Sequence, residues 1–535
     1  MSAKSRALSI PEILDLVFNH FSSAHEKLLI PRPLKITTGN EDDSDSSEDE
    51  FMRLRRHGRP DSRDKSTKES RATLLAVALS CRHFAPFALR ILWRTMDSLD
   101  PLISLLPLVR AAGGLLHLAP DVPQETWTKF EMRQQQIHAL VFSNARSMVS
   151  MRYSLVFTTL STMRRFIFPS LHTLIICNLD DTFNIATCST MLTSPRLRHL
   201  CVDSVSNRPS FASFCNLFHH VSENQLHSLI INADVDPTPL NLITSPTLRV
   251  LQVGLKLNLP ALRTWANLSL LRELHLHLIG DVAEDALPFQ SLESLHITGS
   301  MQSITAFLVS CECNLQAIFI KLPPKWHLTD GSGPAPRLLF GIIGEKWKTS
   351  LRHAELDCAS NYPVPSRVTD CWDGFSETIK PLQAIPLLTF RILNSPYRFS
   401  STLSLVSILS RFPHAHTLEL LWSKTGKGLT FGELRTIAEV CPNLRHLGIS
   451  VNLDANTPKL PALNHGLKTL LVLSSDITGE VGDVALNLDR LFPYLTTIQI
   501  YQTPLQLAKL GGRRTSGRWK EVERMLEFFR QARDR

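Results

Sequence analysis

The sequence predicts an α/β solenoid, in which short parallel strands form a curved sheet and helices return behind it. Three observations favour this fold class: one six-residue pattern recurs along most of the chain, its spacing is regular, and a proline often precedes it. The pattern is L-x-x-L-x-L, with mostly aliphatic residues at the first, fourth and sixth positions. Its fourteen copies start at residues 137, 171, 197, 226, 248, 271, 292, 315, 351, 387, 415, 444, 467 and 495.

Each copy has the features of a short strand. Its last four positions alternate between apolar and polar, and the sixth is Ile or Val in ten of the fourteen copies, as expected for a pleated, half-buried surface. Between copies the chain is long enough for a returning helix. Prolines that stop such a helix occur just before five strands. They lie in FPSL, SPRL, SPTL, CPNL and FPYL, which begin at residues 168, 194, 245, 441 and 492.

The array resembles leucine-rich repeats, whose period is roughly 20 to 29 residues. The mean spacing here is about 27.5 residues, and the resemblance covers about two thirds of the chain. It implies a leucine-rich repeat horseshoe with a curved parallel sheet. The segment CPNLRHL at 441–447 is close to the repeats of F-box proteins. The Asn expected eight residues after the first Leu occurs at Asn452, but Val205, Lys256 and Ser300 occupy that position elsewhere.

Composition describes a large globular protein. The chain has 535 residues, of which 43% are hydrophobic and 20% charged, and its formal net charge is +8. This composition excludes a chain that is disordered or collagen-like throughout, and the modest net charge does not indicate a nucleic-acid binder. The ten cysteines contain no CxxC pair. We expect reduced thiols, no secretory signal, no membrane span, and a cytoplasmic or nuclear location, or both.

The N-terminal region contains apolar helical stripes. Residues 9–22 predict an amphipathic helix, and residues 71–96 predict two more short helices with a break near Pro86. This region resembles the F-box, a small three-helix module, with Leu89 and Phe84 among the matching positions. The resemblance implies that the module binds a Skp-family adaptor and, through it, a cullin. The adaptor-binding residues that it implies are Ile10, Pro11, Glu12, Ile13, Val17, Phe18, Phe21, Leu75, Cys81, Arg82, Leu92 and Trp93.

A charged insert splits this module. It contains EDDSDSSEDE at 41–50, with seven acidic residues in ten, followed by several arginines. Such blocks are typical of disordered segments, so residues 31–70 are predicted to be a disordered insert. Phosphorylation at Ser46 or Ser47 and a basic nuclear signal are alternative readings of this segment.

Four regions follow from these patterns. Residues 1–98 form the F-box-like module, residues 99–136 form connecting helices, and residues 137–510 form the repeat solenoid. Residues 511–535 predict a basic amphipathic helix that caps the open end of the array. Its apolar stripe consists of Trp519, Val522, Met525, Leu526 and Phe529. A membrane-surface helix or a calmodulin-like target helix is the alternative for this segment.

The polar positions of the repeat strands are the candidate binding residues. Leu274 and Leu276 should be buried, whereas Glu273, His275, His277 and His296 should be exposed on the concave face. The histidines on adjacent strands also allow a metal site, although a polar binding surface is favoured and no metal or other cofactor is predicted. The predicted concave-face residues are His199, Asp203, Glu273, His275, His277, His296, His353, Glu355, Asp357, Glu419, His446, Gln499 and Tyr501.

No P-loop, GxSxG, HExxH or GxGxxG motif in a suitable context indicates an enzyme. The combined patterns predict a non-enzymatic substrate-recognition adaptor of a cullin-type ubiquitin ligase. Such a protein would act as a monomer within its complex, bind an unknown protein substrate, and bind neither nucleic acid nor membrane. The alternative is a leucine-rich repeat scaffold or inhibitor with no connection to ubiquitin.

Overall fold

A computed structural model describes most of the repeat strands and their supporting helices. The described residues are 63–110, 115–143, 155–156, 159–160, 162–163, 168–179, 194–205, 225–232, 245–256, 259–278, 286–322, 335–358, 378–395, 402–422, 428–454, 461–473, 477–478, 480–501 and 513–533. The chain divides into two compact units, residues 1–276 and residues 277–535.

The first unit begins, in its described part, with a helical pair. Helix α1 (Arg63–Ser80) packs on α2 (Ala85–Arg94), and Leu74, Ala88 and Ile91 form the buried centre of the pair. Arg71 joins α1 to the strand that follows, because its guanidinium donates to the carbonyl oxygen of Thr95 at 3.2 Å. The helical pair is therefore attached to the start of the sheet.

Seven parallel strands of the first unit follow in chain order, apart from a small antiparallel hairpin formed by β2 and β3. Two helices lie between them before the first repeat, and α5 follows β8. The elements are β1 (Thr95–Met96), α3 (Asp100–Ile103), β2 (Leu108–Arg110), β3 (Leu116–Leu118), α4 (Gln124–Gln134), β4 (Ala139–Ser143), β5 (Thr173–Leu179), β6 (His199–Val205), β7 (Ser228–Asn232), β8 (Val250–Lys256), α5 (Leu259–Ala266) and β9 (Glu273–His277).

The second unit repeats the same alternation. Its main sheet has the order β10, β11, β12, β13, β14, β15, β17, β19, and β16 pairs with β18. Its elements are β10 (Ser294–Thr298), α6 (Met301–Ser310), β11 (Ala317–Lys321), α7 (Ala335–Lys346), β12 (His353–Asp357), a 3₁₀ helix (Lys380–Ala384), β13 (Thr389–Ser395), α8 (Thr402–Leu409), β14 (Thr417–Trp422), α9 (Phe431–Val440), β15 (His446–Ile449), β16 (Leu453–Asp454), β17 (Thr469–Leu473), β18 (Ile477–Thr478), α10 (Val481–Leu491), β19 (Thr497–Tyr501) and α11 (Arg513–Arg533).

Every copy of the repeat pattern becomes a strand, and each strand begins at the third position of its copy. The first and fourth positions of all fourteen copies are buried, including Leu274, which is 0% exposed. The α/β solenoid of leucine-rich repeats predicted from the sequence is thus confirmed. Removing buried leucines of this kind costs about 2 to 5 kcal/mol each, so these positions stabilise the array.

The proline turns end the segments between strands as predicted. In the segment from Cys441 to Leu444, the amide of Leu444 donates to the carbonyl oxygen of Cys441 at 3.1 Å, and α9 ends one residue earlier. The turn from Phe492 to Leu495 has the same bond at 3.0 Å. Proline at the second position of such a four-residue turn has its φ already set. Each turn therefore ends at a buried Leu that lies two residues before the next strand.

The C-terminal helix α11 packs on α10 and on the last strand, β19. Trp519, Val522 and Leu526 are buried. The carboxylate of Glu523 accepts a hydrogen bond from the backbone amide of Ile498 at 3.2 Å. The predicted amphipathic helix is present, and it satisfies a backbone group of the final strand.

Three boundaries differ from the sequence prediction. Helix α1 begins at Arg63, so residues 63–70 are helical although they were assigned to the disordered insert. The sheet begins at β1, within the predicted F-box module, because Thr95 and Met96 pair with the first repeat strand. The region 99–136 contains the β2–β3 hairpin as well as helices. Short strands of two or three residues carry too little periodicity to be recognised in a sequence.

Other predictions lie outside the described residues. These are the helix at 9–22 with Ile10, Pro11, Glu12, Ile13, Val17, Phe18 and Phe21, and residues 31–62 of the insert. Among the described helices, none is both long enough and apolar enough to cross a membrane.

Candidate functional site

The polar residues of the repeat strands share one face of each sheet. This open face carries the third, fifth and seventh positions of each copy, opposite the buried fourth and sixth positions. In the second unit, strand register aligns the fifth positions of five neighbouring strands. These residues are Phe319, Glu355, Arg391, Glu419 and Gly448. An acid, a base and an acid therefore lie side by side on β12, β13 and β14.

Ion pairs join these side chains into a charged cluster of Glu355, Arg391, Glu419 and His446. The guanidinium of Arg391 lies 3.1 Å from a carboxylate oxygen of Glu419 and 3.6 Å from one of Glu355. Nε2 of His446, on β15, lies 2.8 Å from Oε1 of Glu419. Glu419 is 6% exposed, so its charge is compensated by two basic side chains rather than by water.

The cluster gives its two carboxyl groups opposite properties. Burial raises the pKa of Glu355 to about 7, against the charge of Arg391, and Glu419 and Asp357 raise it further. Burial also acts to raise the pKa of Glu419, but the hydrogen bond and charge of His446 and the charge of Arg391 outweigh it and hold the pKa below its usual value. Glu419 is therefore ionised at neutral pH, whereas Glu355 exchanges its proton there.

Gly448 makes room for Glu419. A Cβ atom at this position would lie 2.7 Å from Cγ of Glu419 and 3.3 Å from a methyl group of Leu471. Such a separation from Cγ is too short for two carbon atoms, so a larger residue would displace the carboxylate from Arg391. The glycine is thus part of the geometry of the charged cluster.

Five predicted residues belong to this cluster or lie beside it on the same strands. His353, Glu355 and Asp357 follow one another along β12, Glu419 lies on β14, and His446 lies on β15. All except Glu419 are half-buried. Asp357 pairs with Lys321 at 3.6 Å. Gln499 is exposed and Tyr501 is half-buried on β19, at the other end of the same sheet.

Sequence reasoning missed Arg391. The sequence feature that identifies it is its position in the copy LLTFRI. It is the fifth residue of that copy, as Glu355 and Glu419 are of theirs. Its apolar neighbours Phe390 and Ile392 indicate a strand, but they do not show that Arg391 is aligned with Glu355 and Glu419 on the neighbouring strands. Reading the fifth positions as a column would have predicted an acid–base–acid row.

Two predicted exposures are wrong. His275 is 5% exposed and His296 is 9% exposed. The ring of His275 is held by Glu273, whose Oε1 lies 2.7 Å from Nε2 of the histidine. The ring of His296 stacks on Phe319, with centroids 4.0 Å apart and planes inclined by 9°. Side chains in the same strand and on the next one therefore cover these rings, which a period-two pattern does not reveal.

The remaining open-face predictions in this region have mixed outcomes. Glu273 and His277 are half-buried, and Leu274 and Leu276 are buried as predicted. His199 is half-buried, with its ring centroid 6.4 Å from that of His227. Burial, His227 and Arg198 lower the pKa of His199 to about 4. Asp203 belongs to β6, but its side chain lies outside the described residues.

The fifth positions of the first four repeat strands, β4 to β7, are apolar, in contrast to those of the charged cluster. Ile175, Cys201 and Ile230 form a buried cluster with Val141 packed against it. This apolar strip lies outside the sequence prediction, which took only polar side chains as candidate binding residues. The charged cluster of the second unit is therefore the site best equipped with acceptors and donors for a polar partner.

No protein-family model matches this chain, and no curated protein matches it. Several solved structures of leucine-rich repeat proteins are similar. A leucine-rich repeat protein of Leptospira interrogans has 13% identity, covering 67% of this chain and 90% of its own, with a TM-score of 0.31. An internalin of Listeria monocytogenes has 12% identity, covering 68% and 92%, with a TM-score of 0.29. TLR13 in a complex with ssRNA13 has 12% identity, covering 68% and 50%, with a TM-score of 0.34.

The fourteen strands of this chain decide the fold. It is a leucine-rich repeat fold. Its regular strands present aligned side chains on an open face, as the charged cluster shows, and such surfaces serve as protein-interaction scaffolds.

Proposed function

We propose that this protein is the substrate-recognition adaptor of a cullin-type E3 ubiquitin ligase. In this role the F-box-like helices bind a Skp-family adaptor, which joins the chain to a cullin, and the repeats bind a target protein. The chain itself performs no chemistry and needs no cofactor; it brings the target close to the ligase, in the cytoplasm, the nucleus or both. The observation that carries the proposal is an exposed apolar edge on α1, the helix that ends directly before Cys81 and Arg82.

The exposed edge consists of Leu75 and Leu79. Leu75 is 49% exposed and Leu79 is 80% exposed. Residues four apart lie on the same side of a helix, so the two leucines form one apolar strip. Leu74, the residue before Leu75, points to another side of the helix and is buried against α2. The helix thus uses one side for its own core and leaves a second apolar side for a partner.

The predicted adaptor-binding residues that follow α1 are also accessible. Arg82 is exposed, and Cys81, Leu92 and Trp93 are half-buried. Trp93 is partly covered from within the unit, since the guanidinium of Arg133 lies 5.4 Å from the centre of its ring. We therefore expect Leu75, Leu79 and Arg82 to contribute more to adaptor binding than Trp93.

In this role, the target protein binds the open face of the second unit. In the charged cluster, the carboxyl group of Glu355, whose pKa is about 7, lies beside the partly accessible guanidinium of Arg391. Its neighbours Asp357 and Lys321 add one charge of each sign. A partner with alternating charges fits this arrangement better than a uniformly acidic or basic one.

The experiment is co-purification of a purified Skp-family adaptor with the full chain and with the variant Leu75→Ala/Leu79→Ala. Because both leucines are exposed, the free energy of unfolding should change by no more than about 0.5 kcal/mol. Binding should weaken roughly thirty-fold, as for the loss of a central apolar contact worth about 2 kcal/mol. The control is Leu338→Ala on α7, a leucine of the second unit that is 57% exposed.

The results separate the two functions considered for this fold. If the parent chain binds the adaptor and only the α1 variant loses it, the adaptor role is supported. If the parent chain fails to bind while remaining folded, the protein is a repeat scaffold or inhibitor without a ubiquitin link.

A further inference from the structure

A row of basic residues marks the entry to every parallel strand of the first unit. The residue immediately before each strand is Arg or His in all seven cases. From the second of these residues onward, the backbone amide of each donates to the carbonyl oxygen of the preceding one at 2.8 or 2.9 Å. We call this the basic row; its members are Arg94, His138, His172, Arg198, His227, Arg249 and Arg272.

The second unit lacks this uniformity. The residues before its main-sheet strands include an acid at Glu293, an amide at Gln316 and an apolar side chain at Leu388. Strand entry in this fold therefore does not require a basic residue. Since neighbouring strands lie about 4.8 Å apart, the basic row brings four arginines and three histidines close together at one end of these strands.

A cavity lies at the middle of the basic row. It has a volume of about 330 Å³ and is lined by His172, Pro195, Arg196, Arg198 and Gln225. Arg198 and His172 are neighbours in the row, and Arg196 comes from the proline turn that precedes β6. Both arginines and Gln225 are exposed, while His172 is half-buried. Two guanidinium groups, an imidazole and an amide thus surround one space.

The electrostatics of this cavity are cationic. Burial lowers the pKa of His172, and Arg198, Arg196 and Arg94 lower it further. Guanidinium groups form bidentate, charge-assisted hydrogen bonds with carboxylate and phosphoryl oxygens. The cavity therefore has donors of the right kind for an oxyanion.

We propose that this cavity binds an oxyanion carried by a protein partner, either a phosphoryl group or a carboxylate side chain. Among the described residues that line it, Pro195 is the lone apolar one and none is Phe, Tyr or Trp, so the large aromatic platforms on which nucleic-acid bases stack are not found there. Its donors converge on a single space, which suits one anionic group of a peptide better than a long polyphosphate backbone. The proposal stands independently of adaptor binding, because it concerns a different surface.

The sequence supplies a matched control for the site. Residues 194–200 read SPRLRHL, and residues 441–447 read CPNLRHL in an equivalent turn and strand. Arg445 corresponds to Arg198, is likewise exposed, and its amide donates to the carbonyl oxygen of His416 at 2.8 Å. The position of Arg196 is taken by Asn443. Arg445 thus has the same local backbone but not the second arginine.

The experiment measures binding by calorimetry of the full chain with inorganic phosphate and with three short peptides. The peptides share a Gly-Ser sequence and carry serine, phosphoserine or glutamate at the centre; a single-stranded oligonucleotide is the fourth probe. We expect phosphate and the phosphoserine or glutamate peptide to bind, and the serine peptide not to bind. Arg198→Ala and Arg196→Ala should each weaken binding about tenfold or more, whereas Arg445→Ala should leave it unchanged.

The comparison of the phosphoserine and glutamate peptides identifies which oxyanion the cavity prefers. Thermal melting compares each variant with the parent chain, because substitution of an exposed arginine should leave the melting temperature nearly unchanged. The proposal is overturned if no anionic peptide binds the parent chain, or if Arg445→Ala weakens binding as much as Arg198→Ala. It is also overturned if the oligonucleotide binds more tightly than the peptides and that binding depends on Arg196 and Arg198.

Discussion

The guanidinium of Arg391 lies between two carboxylates, 3.1 Å from Glu419 on one neighbouring strand and 3.6 Å from Glu355 on the other. Three consecutive repeats thus contribute one charged group each to a single cluster. We expect Arg391→Ala to lower the free energy of unfolding by about 3 kcal/mol, the low end for breaking a buried ion pair, because the buried Glu419 then keeps only His446 as a basic partner. Urea denaturation measures this change.

Arg435→Ala is the control for that prediction. Arg435 pairs with Glu439 at 2.7 Å, a shorter distance than in the cluster, but this pair lies on the exposed side of α9. Exposed pairs contribute about 0 to 1 kcal/mol. Equal effects of the two substitutions would show that the cluster is solvated rather than buried.

Glu355 predicts a fall in stability with rising pH. Its folded pKa is about 7, against an ordinary value of 4.5, so between these values the folded state holds a proton that the unfolded state releases. Stability from this group therefore decreases from pH 4.5 to pH 7 and stays low above it. In Glu355→Gln this loss should disappear, so the free-energy difference from the parent should shift by about 2 to 3 kcal/mol across the window.

Unfolding measured at several pH values tests this prediction. Glu→Gln also changes the contact with Arg391, which adds a contribution at every pH. The informative quantity is thus the slope of the difference, and a flat difference from pH 4.5 to pH 8 would contradict the raised pKa.

The histidines of the first unit predict the opposite dependence. Burial lowers the pKa of His138 to about 4, with Arg94, His172 and Arg196 contributing, and His199 has a similar value. The unfolded state gains protons near the ordinary value of 6.5, so stability is lost as pH falls from 6.5 to 4. After allowance for solvent screening, each histidine should account for about 1 to 2 kcal/mol.

Acid unfolding of His138→Gln/His199→Gln checks this dependence, with the exposed His83→Gln as the control. The double variant should lose less stability between pH 6.5 and pH 4 than the parent. An unchanged acid-unfolding curve would mean that these imidazoles are charged in the folded state.

The C-terminal helix allows a comparison of two aromatic residues on one element. Trp519 is 1% exposed and Phe528 is 67% exposed on α11. Trp519→Ala should lower the free energy of unfolding by about 3 to 5 kcal/mol, and Phe528→Ala should change it by within about 0.5 kcal/mol. Chemical denaturation of both variants measures the difference; similar values would show that α11 does not pack on the array.

The repeat strands could be predicted from the sequence because the pattern is local. The burial of Leu274 follows from alternation within five residues, and the same holds for the other copies. The contacts of Arg391 and His296 depend instead on neighbouring strands. Their partners occupy the same position of adjacent copies, about 27 residues away on average, whereas His275 is held by Glu273 of its own copy.

The basic row shows the same limit from another side. Each of its members is an ordinary polar residue when its own copy is read alone. Its regularity becomes visible when Arg198 is compared with His172 before it and His227 after it. The cavity then depends further on Arg196, which belongs to a turn that the repeat pattern leaves variable.

The bond from Glu523 to the amide of Ile498 has a consequence for how this protein can change in evolution. A gene duplication that appended a further copy after residue 501 would need that amide for its own strand, and would have to dislodge α11. Copies inserted between existing ones meet no such obstacle, since both of their neighbours already offer compatible edges. We expect natural variation in copy number to arise by internal duplication, with the terminal helix retained.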